Sequence, residues 1–254
     1  MKKRSIHLLE WLYPPRCPIC DRILPAGGRR CCAACEEGLP WISGAVCMKC
    51  GKMLADKRQE YCRDCRGEQH FFDQGIAAFL YTGELRHSVY RMKAENRRDY
   101  LDFYAEAMTA ALQKVLKRWS PDVIVPVPMH KSRRKERGFN QSELLAEKIS
   151  QMTGIPCELQ AVSCVRKHAQ QKQLDRKERL KNLRGSFAAR KCFSEGTRVL
   201  LVDDVYTTGS TMDELARVVK SAGAQLVFFV VLCTGKEKNS VCTAQNVCYT
   251  KWKE

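Results

Sequence analysis

Eight cysteines in the first quarter of the sequence have the types and spacing of metal ligands. They form four C-x-x-C pairs, and the unit C-x2-C-x11-C-x2-C occurs twice. Each unit supplies four thiolates, which complete the tetrahedral shell of one structural zinc ion. The repeat therefore predicts two Zn²⁺ sites, with the ligands Cys17, Cys20, Cys32 and Cys35 in the first and Cys47, Cys50, Cys62 and Cys65 in the second. Spacing alone leaves open a cross-braced arrangement, in which the first pair joins the third and the second joins the fourth.

The stretch VLLVDDVYTTGST, residues 199–211, carries a second set of groups suited to chemistry. Its apolar residues predict a buried strand, and Asp203 and Asp204 follow where that strand ends. The residues after them predict a turn into a helix: Thr207, Thr208, Gly209, Ser210 and Thr211. The start of a helix binds anions through its free N–H groups and its dipole. Carboxylates accept hydrogen bonds from hydroxyls, so the stretch predicts a site for a phosphorylated sugar.

Strands and helices alternate around this stretch. The hydrophobic pattern predicts strands over 75–81, 123–127, 199–205 and 224–233, and helices over 83–94, 99–119, 140–153 and 210–223. This alternation favours an α/β fold with a mostly parallel sheet flanked by helices, in which ligands bind beyond the carboxyl ends of the strands. We expect such a domain over residues 71–254. A small zinc module over residues 1–70 would precede it and would draw much of its folding free energy from metal.

Composition limits the classes of partner and the compartment. The formal net charge of +16 favours anionic partners such as nucleic acid or a polyphosphate. No apolar run is long enough for a membrane span, and the N-terminal segment lacks a signal-peptide cleavage site. We therefore expect a cytoplasmic protein with reduced thiols, in which the seven other cysteines, among them Cys31, Cys233, Cys242 and Cys248, are free.

These motifs together resemble a known family. Residues 199–211 resemble the phosphoribosyl pyrophosphate (PRPP) signature of type I phosphoribosyltransferases. Residues 125–146, VPVPMHKSRRKERGFNQSELLA, resemble the pyrophosphate-side segment of one branch, and residues 166–187 resemble its mobile-loop segment. With the cysteine-rich N-terminus and the opening LYPPRCPIC, the chain is similar over nearly its whole length to the ComF family of competence-associated proteins.

The resemblance implies a type I phosphoribosyltransferase-like fold behind a zinc module, with PRPP and Mg²⁺ as ligands. It implies that Asp203 and Asp204 hold the ribose hydroxyls and that residues 207–211 wrap the 5′-phosphate. On the pyrophosphate side it implies a role for Met129, His130, Lys131 and Arg137, and Lys93 is a further phosphate candidate. We assign no catalytic residue from the sequence.

The segment KSRRKER carries more positive charge than a pyrophosphate needs. Either this is a solvated basic face or the surplus follows a nucleic-acid backbone. Candidate contacts to single-stranded DNA are Arg133, Arg134, Lys135, Phe139, Lys177, Arg179 and Lys181, with the phenyl ring stacking on bases. We expect a ComF-like protein that supports natural competence by handling imported single-stranded DNA, alongside a competence helicase or DNA-processing proteins. The alternative is an active Mg-dependent phosphoribosyltransferase with an unassigned acceptor.

Overall fold

The computed structural model describes residues 14–25, 30–166 and 183–237. The strands of these residues are β1 (Gln74–Leu80), β2 (Val123–Pro126), β3 (Val162–Cys164), β4 (Phe187–Ala189), β5 (Arg198–Tyr206) and β6 (Leu226–Thr234). The helices are α1 (Ala33–Glu37), α2 (Gly83–Ala94), α3 (Leu101–Trp119), α4 (Lys131–Arg137), α5 (Gln141–Thr153) and α6 (Ser210–Ser221), with a 3-10 turn at Arg98–Tyr100. The α/β prediction is confirmed, and each predicted element ends within about two residues of its observed bounds.

Four of the strands form one parallel sheet in the order β1-β6-β5-β2. In its register, Leu200 of β5 lies between Ile124 of β2 and Phe228 of β6. The first four residues of the signature stretch, 199–202, have no exposed surface. A parallel sheet is normally covered on both faces, which explains why this stretch is continuously apolar rather than alternating.

The two faces of the sheet are covered by different helices. Leu200 and Val202 pack in one core with α2, α3 and α5. Val199 and Leu201 pack in the other core, against α6. The strand β5 therefore runs through the centre of the molecule, and its carboxyl end opens between the two layers of helices.

The two cysteine repeats lie on opposite faces of this sheet. Cys17 belongs to the core that contains α2 and α3, whereas Cys47 belongs to the core that contains α6. Between the repeats, residues 40–42 run antiparallel to β1. The Ile42 N–H donates to the Ala78 carbonyl over 2.9 Å, and the Leu80 N–H donates to the Pro40 carbonyl over 2.8 Å. The cysteine-rich segment thus wraps around the β1 edge and has no separate core of its own.

The opposite edge of the sheet is covered as well. The Ile124 N–H of β2 donates to the Pro156 carbonyl over 2.8 Å, and the Ile124 carbonyl accepts from the Glu158 N–H over 2.9 Å. These two bonds form a parallel bridge between Ile124 and Cys157. Both edge strands therefore have backbone partners in the described part of the chain.

Four elements were not predicted from the sequence. The segment 131–137 forms the helix α4, which the His130 imidazole caps at one end and Gly138 ends at φ 83°. The helix contains no apolar residue, so it has no hydrophobic period to detect. The antiparallel pair β3–β4 and the five-residue α1 are too short to leave a periodic pattern.

No helix among the described residues combines the length and the apolar character that crossing a membrane requires.

Candidate functional site

The cysteines of each repeat converge on one point. The four sulfurs of Cys17, Cys20, Cys32 and Cys35 lie within 4.8 Å of one another, and so do those of Cys47, Cys50, Cys62 and Cys65. Four thiolates at this separation fit one tetrahedral zinc ion per repeat. The two clusters lie on different faces of the sheet, so the cross-braced alternative does not apply.

The described cysteines outside the clusters are unpaired thiols. They are Cys31, Cys157, Cys164, Cys192 and Cys233. The Cys31 sulfur lies 3.6 Å from that of Cys17, beside the first cluster. Cys242 and Cys248 lie outside the described residues.

A cleft of about 610 Å³ opens at the carboxyl ends of β2 and β5. It brings together residues from the segments 125–146 and 199–211, which are more than fifty positions apart in the chain. Of the residues predicted for a ligand site, the cleft is lined by Lys93, Met129, His130, Arg133, Arg137, Asp203, Asp204, Thr207 and Thr211. Lys131, Thr208, Gly209 and Ser210 are not among its lining residues.

Donors from two helices hold the acidic pair at the base of the cleft. Asp204 is 4% exposed, and its Oδ1 lies 2.7 Å from the Lys93 ammonium nitrogen. Its Oδ2 accepts from the Gln141 side-chain amide over 2.6 Å. Asp203 Oδ1 accepts from the Ser142 hydroxyl over 2.7 Å and from the Asp204 N–H over 2.9 Å. Each carboxylate is therefore oriented before any ligand arrives.

The start of α5 explains why Gln141 and Ser142 reach the acidic pair. The Asn140 side chain caps the helix by accepting from the Ser142 N–H over 3.2 Å. Its amide also donates to the Val127 carbonyl over 3.0 Å, which ties the cap to the end of β2. Sequence reasoning missed the roles of Gln141 and Ser142. The available signal was an asparagine cap inside the pyrophosphate-side segment.

The turn at residues 207–211 follows directly after β5. Gly209 has φ 83° and caps α6, and a Cβ atom there would lie 2.4 Å from the Tyr206 hydroxyl oxygen. Glycine is therefore required by both backbone conformation and space. The Thr208 and Ser210 hydroxyls are 3.1 Å apart. Thr207 and Thr211 face the cleft, beside the first turn of α6, whose leading N–H groups point out of the helix.

The helix α4 divides its positive charge between two directions. Arg133 and Arg137, one turn apart, line the cleft with His130. Burial lowers the pKa of the Arg137 guanidinium, and the Asp204 carboxylate opposes this shift. In contrast, Lys131, Arg134 and Lys135 are exposed on the outside. Arg134 also forms an ion pair with Glu143 over 2.9 Å.

Phe139 does not match the expectation of a stacking ring. Its side chain is only 4% exposed, and the Arg98 guanidinium lies over the ring at 4.7 Å from its centre. The ring belongs to the interior next to the Asn140 cap, so it is not available to stack on a base. Three other candidate contacts, Lys177, Arg179 and Lys181, lie outside the described residues.

Partial burial raises the pKa of Asp203 to about 7, and the neighbouring Asp204 carboxylate acts in the same direction. The folded pKa lies above the unfolded value near 3.8. Stability from this group is therefore present below about pH 4 and is lost as the pH rises through 7.

We predict that Asp203→Asn, which mimics the protonated acid, gains stability relative to wild type as the pH rises. The gain between pH 5 and pH 8 should be roughly 2 to 3 kcal/mol, because only the wild type must ionise a buried carboxyl group over that interval. Urea unfolding of the variant and the wild type at both pH values measures this difference in the free energy of unfolding. An equal stability difference at the two pH values would show that Asp203 titrates normally.

For the cysteine clusters, we predict about two zinc ions per chain by metal analysis. Cys20→Ser should expose Cys17, Cys32 and Cys35 to alkylation while the second cluster stays protected. Mass spectrometry of alkylated peptides reads the pattern, with Cys50→Ser as the matched variant in the other repeat. Reactivity of the second cluster in Cys20→Ser would contradict one ion per repeat.

Comparison with known proteins agrees with both parts of this architecture. Residues 8–66 match the double zinc ribbon domain family, and residues 96–250 match the phosphoribosyl transferase domain family. The chain is 30% identical over 226 residues to the DNA utilization protein YhgH of Salmonella typhi, covering 87% of this chain and 97% of that protein. It is 29% identical over 220 residues to Competence protein F of Haemophilus influenzae, covering 83% and 93%. It is 26% identical over 201 residues to Competence protein ComFC of Bacillus subtilis, covering 76% and 78%. The chain therefore belongs to the ComF family and joins a double zinc ribbon to a phosphoribosyltransferase domain.

Proposed function

We propose that the cleft binds PRPP together with Mg²⁺. One observation carries this proposal: an acidic pair, a hydroxyl-rich turn at a helix start and a basic wall line the same cleft. PRPP carries a sugar with vicinal hydroxyls between a phosphate and a pyrophosphate, so it presents a partner to each of the three groups.

On the ribose side, Asp203 and Asp204 would accept hydrogen bonds from the 2′- and 3′-hydroxyls. A carboxylate oxygen has two lone pairs, so the bonds from Ser142 and Gln141 leave acceptor capacity for the ligand. Lys93, paired with Asp204, would keep that carboxylate oriented rather than hold a phosphate itself. The donors already present would thus lower the ordering cost of binding.

On the phosphate side, the Thr207 and Thr211 hydroxyls and the N–H groups at the start of α6 would hold the 5′-phosphate. His130, Arg133 and Arg137 would face the pyrophosphate. The carboxylates of Asp203 and Asp204 are oxygen donors of the kind that Mg²⁺ prefers. When bound, this ion would supply neutralising charge to the pyrophosphate.

Calorimetric titration of Mg-PRPP tests the proposal. At pH 8, above the pKa of Asp203, wild type should bind, and Asp203→Asn/Asp204→Asn should weaken binding more than about tenfold, because two charged acceptors are lost. Asp122→Asn is the matched control. Asp122 directly precedes β2, at the end of the sheet opposite to the cleft. Its carboxylate accepts from the Arg198 N–H over 2.7 Å.

Failure of the folded, zinc-loaded wild type to bind Mg-PRPP would overturn the proposal. If wild type binds and also releases pyrophosphate in the presence of an amine or a nucleobase, the chain is an active phosphoribosyltransferase. In that case the transfer reaction becomes its function, and the search turns to the acceptor.

A second function is favoured by the outward face of α4. We propose that Lys131, Arg134 and Lys135 contact the backbone of single-stranded DNA, and that the chain supports DNA uptake with a competence helicase or DNA-processing proteins. These three residues are exposed and do not line the cleft, so PRPP does not account for them. Relatives carry the names competence protein and DNA utilization protein, which is consistent with such a role.

We predict that Lys131→Glu/Lys135→Glu weakens binding of single-stranded DNA and lowers the slope of log K against log salt by at least about 1.4. Lys114→Glu/Lys117→Glu, on the exposed side of α3, makes the same change of charge elsewhere and should have a smaller effect. Fluorescence anisotropy with a labelled oligonucleotide at several salt concentrations measures both. An equal loss of DNA affinity in the two variants would show that net charge alone, and not the position of these lysines, determines binding.

The domain organisation and the location of the chain are further parts of the proposal. We propose a zinc module over residues 1–70 and the phosphoribosyltransferase-like part over residues 71–254. We also propose a cytoplasmic location, where the cysteine clusters stay reduced and available to zinc.

A further inference from the structure

The residues on either side of the 207–211 turn, Tyr206 and Asp213, contact the second zinc repeat and the segment that follows it. Tyr206, just before the turn, stacks on Phe229 with ring centres 4.9 Å apart. Lys52, between the cysteine pairs of the second repeat, places its ammonium 5.5 Å from the centre of the Tyr206 ring. Lys52 is itself only 5% exposed and is paired with Asp64 of the same repeat over 2.5 Å. The ring against which Gly209 packs is therefore in contact with Phe229 of the sheet and with Lys52 of the zinc repeat.

Asp213, on the first turn of α6, makes a second connection. Its Oδ1 accepts from the Phe71 N–H over 2.8 Å, and its Oδ2 lies 2.8 Å from His70 Nδ1. A carboxylate accepts hydrogen bonds, so Nδ1 is the protonated ring nitrogen. We call these two hydrogen bonds the Asp213 link.

The residues on the other side of the Asp213 link come directly after the second cluster. His70 and Phe71 follow Cys65, its last ligand, by five and six positions. The His70 side chain is 1% exposed and stacks on Phe72, with ring centres 4.7 Å apart. Phe72 has no exposed surface and meets the Tyr206 ring edge-on. Residues 70–72 therefore fill the space between the second cluster and α6 with buried side chains.

The repeat is also fixed to the sheet. Gly51, directly after Cys50, adopts φ +73°, and a Cβ atom there would lie 2.7 Å from the Gly75 carbonyl oxygen of β1. The Gly75 N–H in turn donates to the Lys49 carbonyl over 2.8 Å. The second repeat therefore contacts both β1 and the residue that precedes the 207–211 turn.

We propose that the second zinc repeat positions the 207–211 turn through the Asp213 link, so that His70 and Asp213 are positioning residues for the phosphate site. This inference rests on the proposed function only for the identity of the ligand that the turn binds. If the repeat favours the binding conformation of the turn, ligand binding must in return favour the ordered repeat, because coupling between two sites is reciprocal.

Three variants test the link. Asp213→Asn keeps one oxygen acceptor and replaces the other by an NH2 group, which donates and so cannot accept from the His70 Nδ1–H. His70→Leu removes the donor and keeps an apolar group against Phe72; its Nε2 atom has no partner among the described residues, so little else is lost. Glu214→Gln is the matched control: Glu214 is the next residue of α6 and is also buried, but its bonds go to Arg217 and to the Gly185 N–H.

Hydrogen exchange of the free protein is measured first, on a peptide that covers residues 207–211. We expect roughly fivefold faster exchange in Asp213→Asn and in His70→Leu, and no comparable change in Glu214→Gln. The double variant should be no worse than the more affected single variant, because both remove the same bond. Unchanged exchange in Asp213→Asn, or equal acceleration in Glu214→Gln, would overturn the inference.

Calorimetric titration with Mg-PRPP is the second readout. The two link variants should weaken binding by roughly fivefold, with the same non-additivity in the double variant, and Glu214→Gln should bind like wild type. If the wild type does not bind Mg-PRPP, the proposed ligand is wrong, and the exchange experiment still decides whether the repeat positions the turn. If exchange responds and PRPP affinity does not, the positioning role in binding is overturned.

Discussion

The arrangement of the whole domain depends on placing two adjacent carboxylates at the end of a buried strand. Asp203 and Asp204 follow four residues with no exposed surface, and Asp204 is itself only 4% exposed, so water stabilises its charge poorly. Compensation comes from Lys93 on α2 and from Gln141 and Ser142 at the start of α5. These two helices must therefore end and begin near one point, and this requirement fixes the position of the cleft.

The zinc ribbon solves a different problem. A segment with so many cysteines and so few large apolar residues cannot build a core alone, and metal replaces part of that core. Here the two repeats also share the cores of the sheet, one on each face. Zinc coordination and sheet packing are then parts of one folding unit, because the same cysteines belong to the metal clusters and to the cores.

The sequence identified the elements that leave a periodic or spaced signal. The buried strand at residues 199–202, the long helices and the cysteine repeat belong to this class. It failed where an element has no hydrophobic period, or where the role of a side chain depends on partners distant in the chain. α4 has no apolar face, and its start is set by His130. The burial of Phe139 depends on Arg98, forty-one positions earlier, and the roles of Gln141 and Ser142 depend on a strand sixty positions later. Many of the residues that line the cleft could therefore be predicted from the sequence. The hydrogen bonds that orient their side chains could be seen only in the structure.

The covered edges of the sheet restrict how this chain can assemble. Residues 40–42 occupy the edge at β1, and the residues around Cys157 occupy the edge at β2. A protein or peptide cannot extend the sheet by adding a strand of its own at either side without first displacing a segment of this chain. Within the described part of the chain, assembly that leaves this four-stranded sheet intact must therefore use other surfaces, such as the side chains of the helices and the ribbon. Recognition by such surfaces depends on side-chain identity more than backbone pairing does, so partner choice can diverge between relatives while the sheet stays the same.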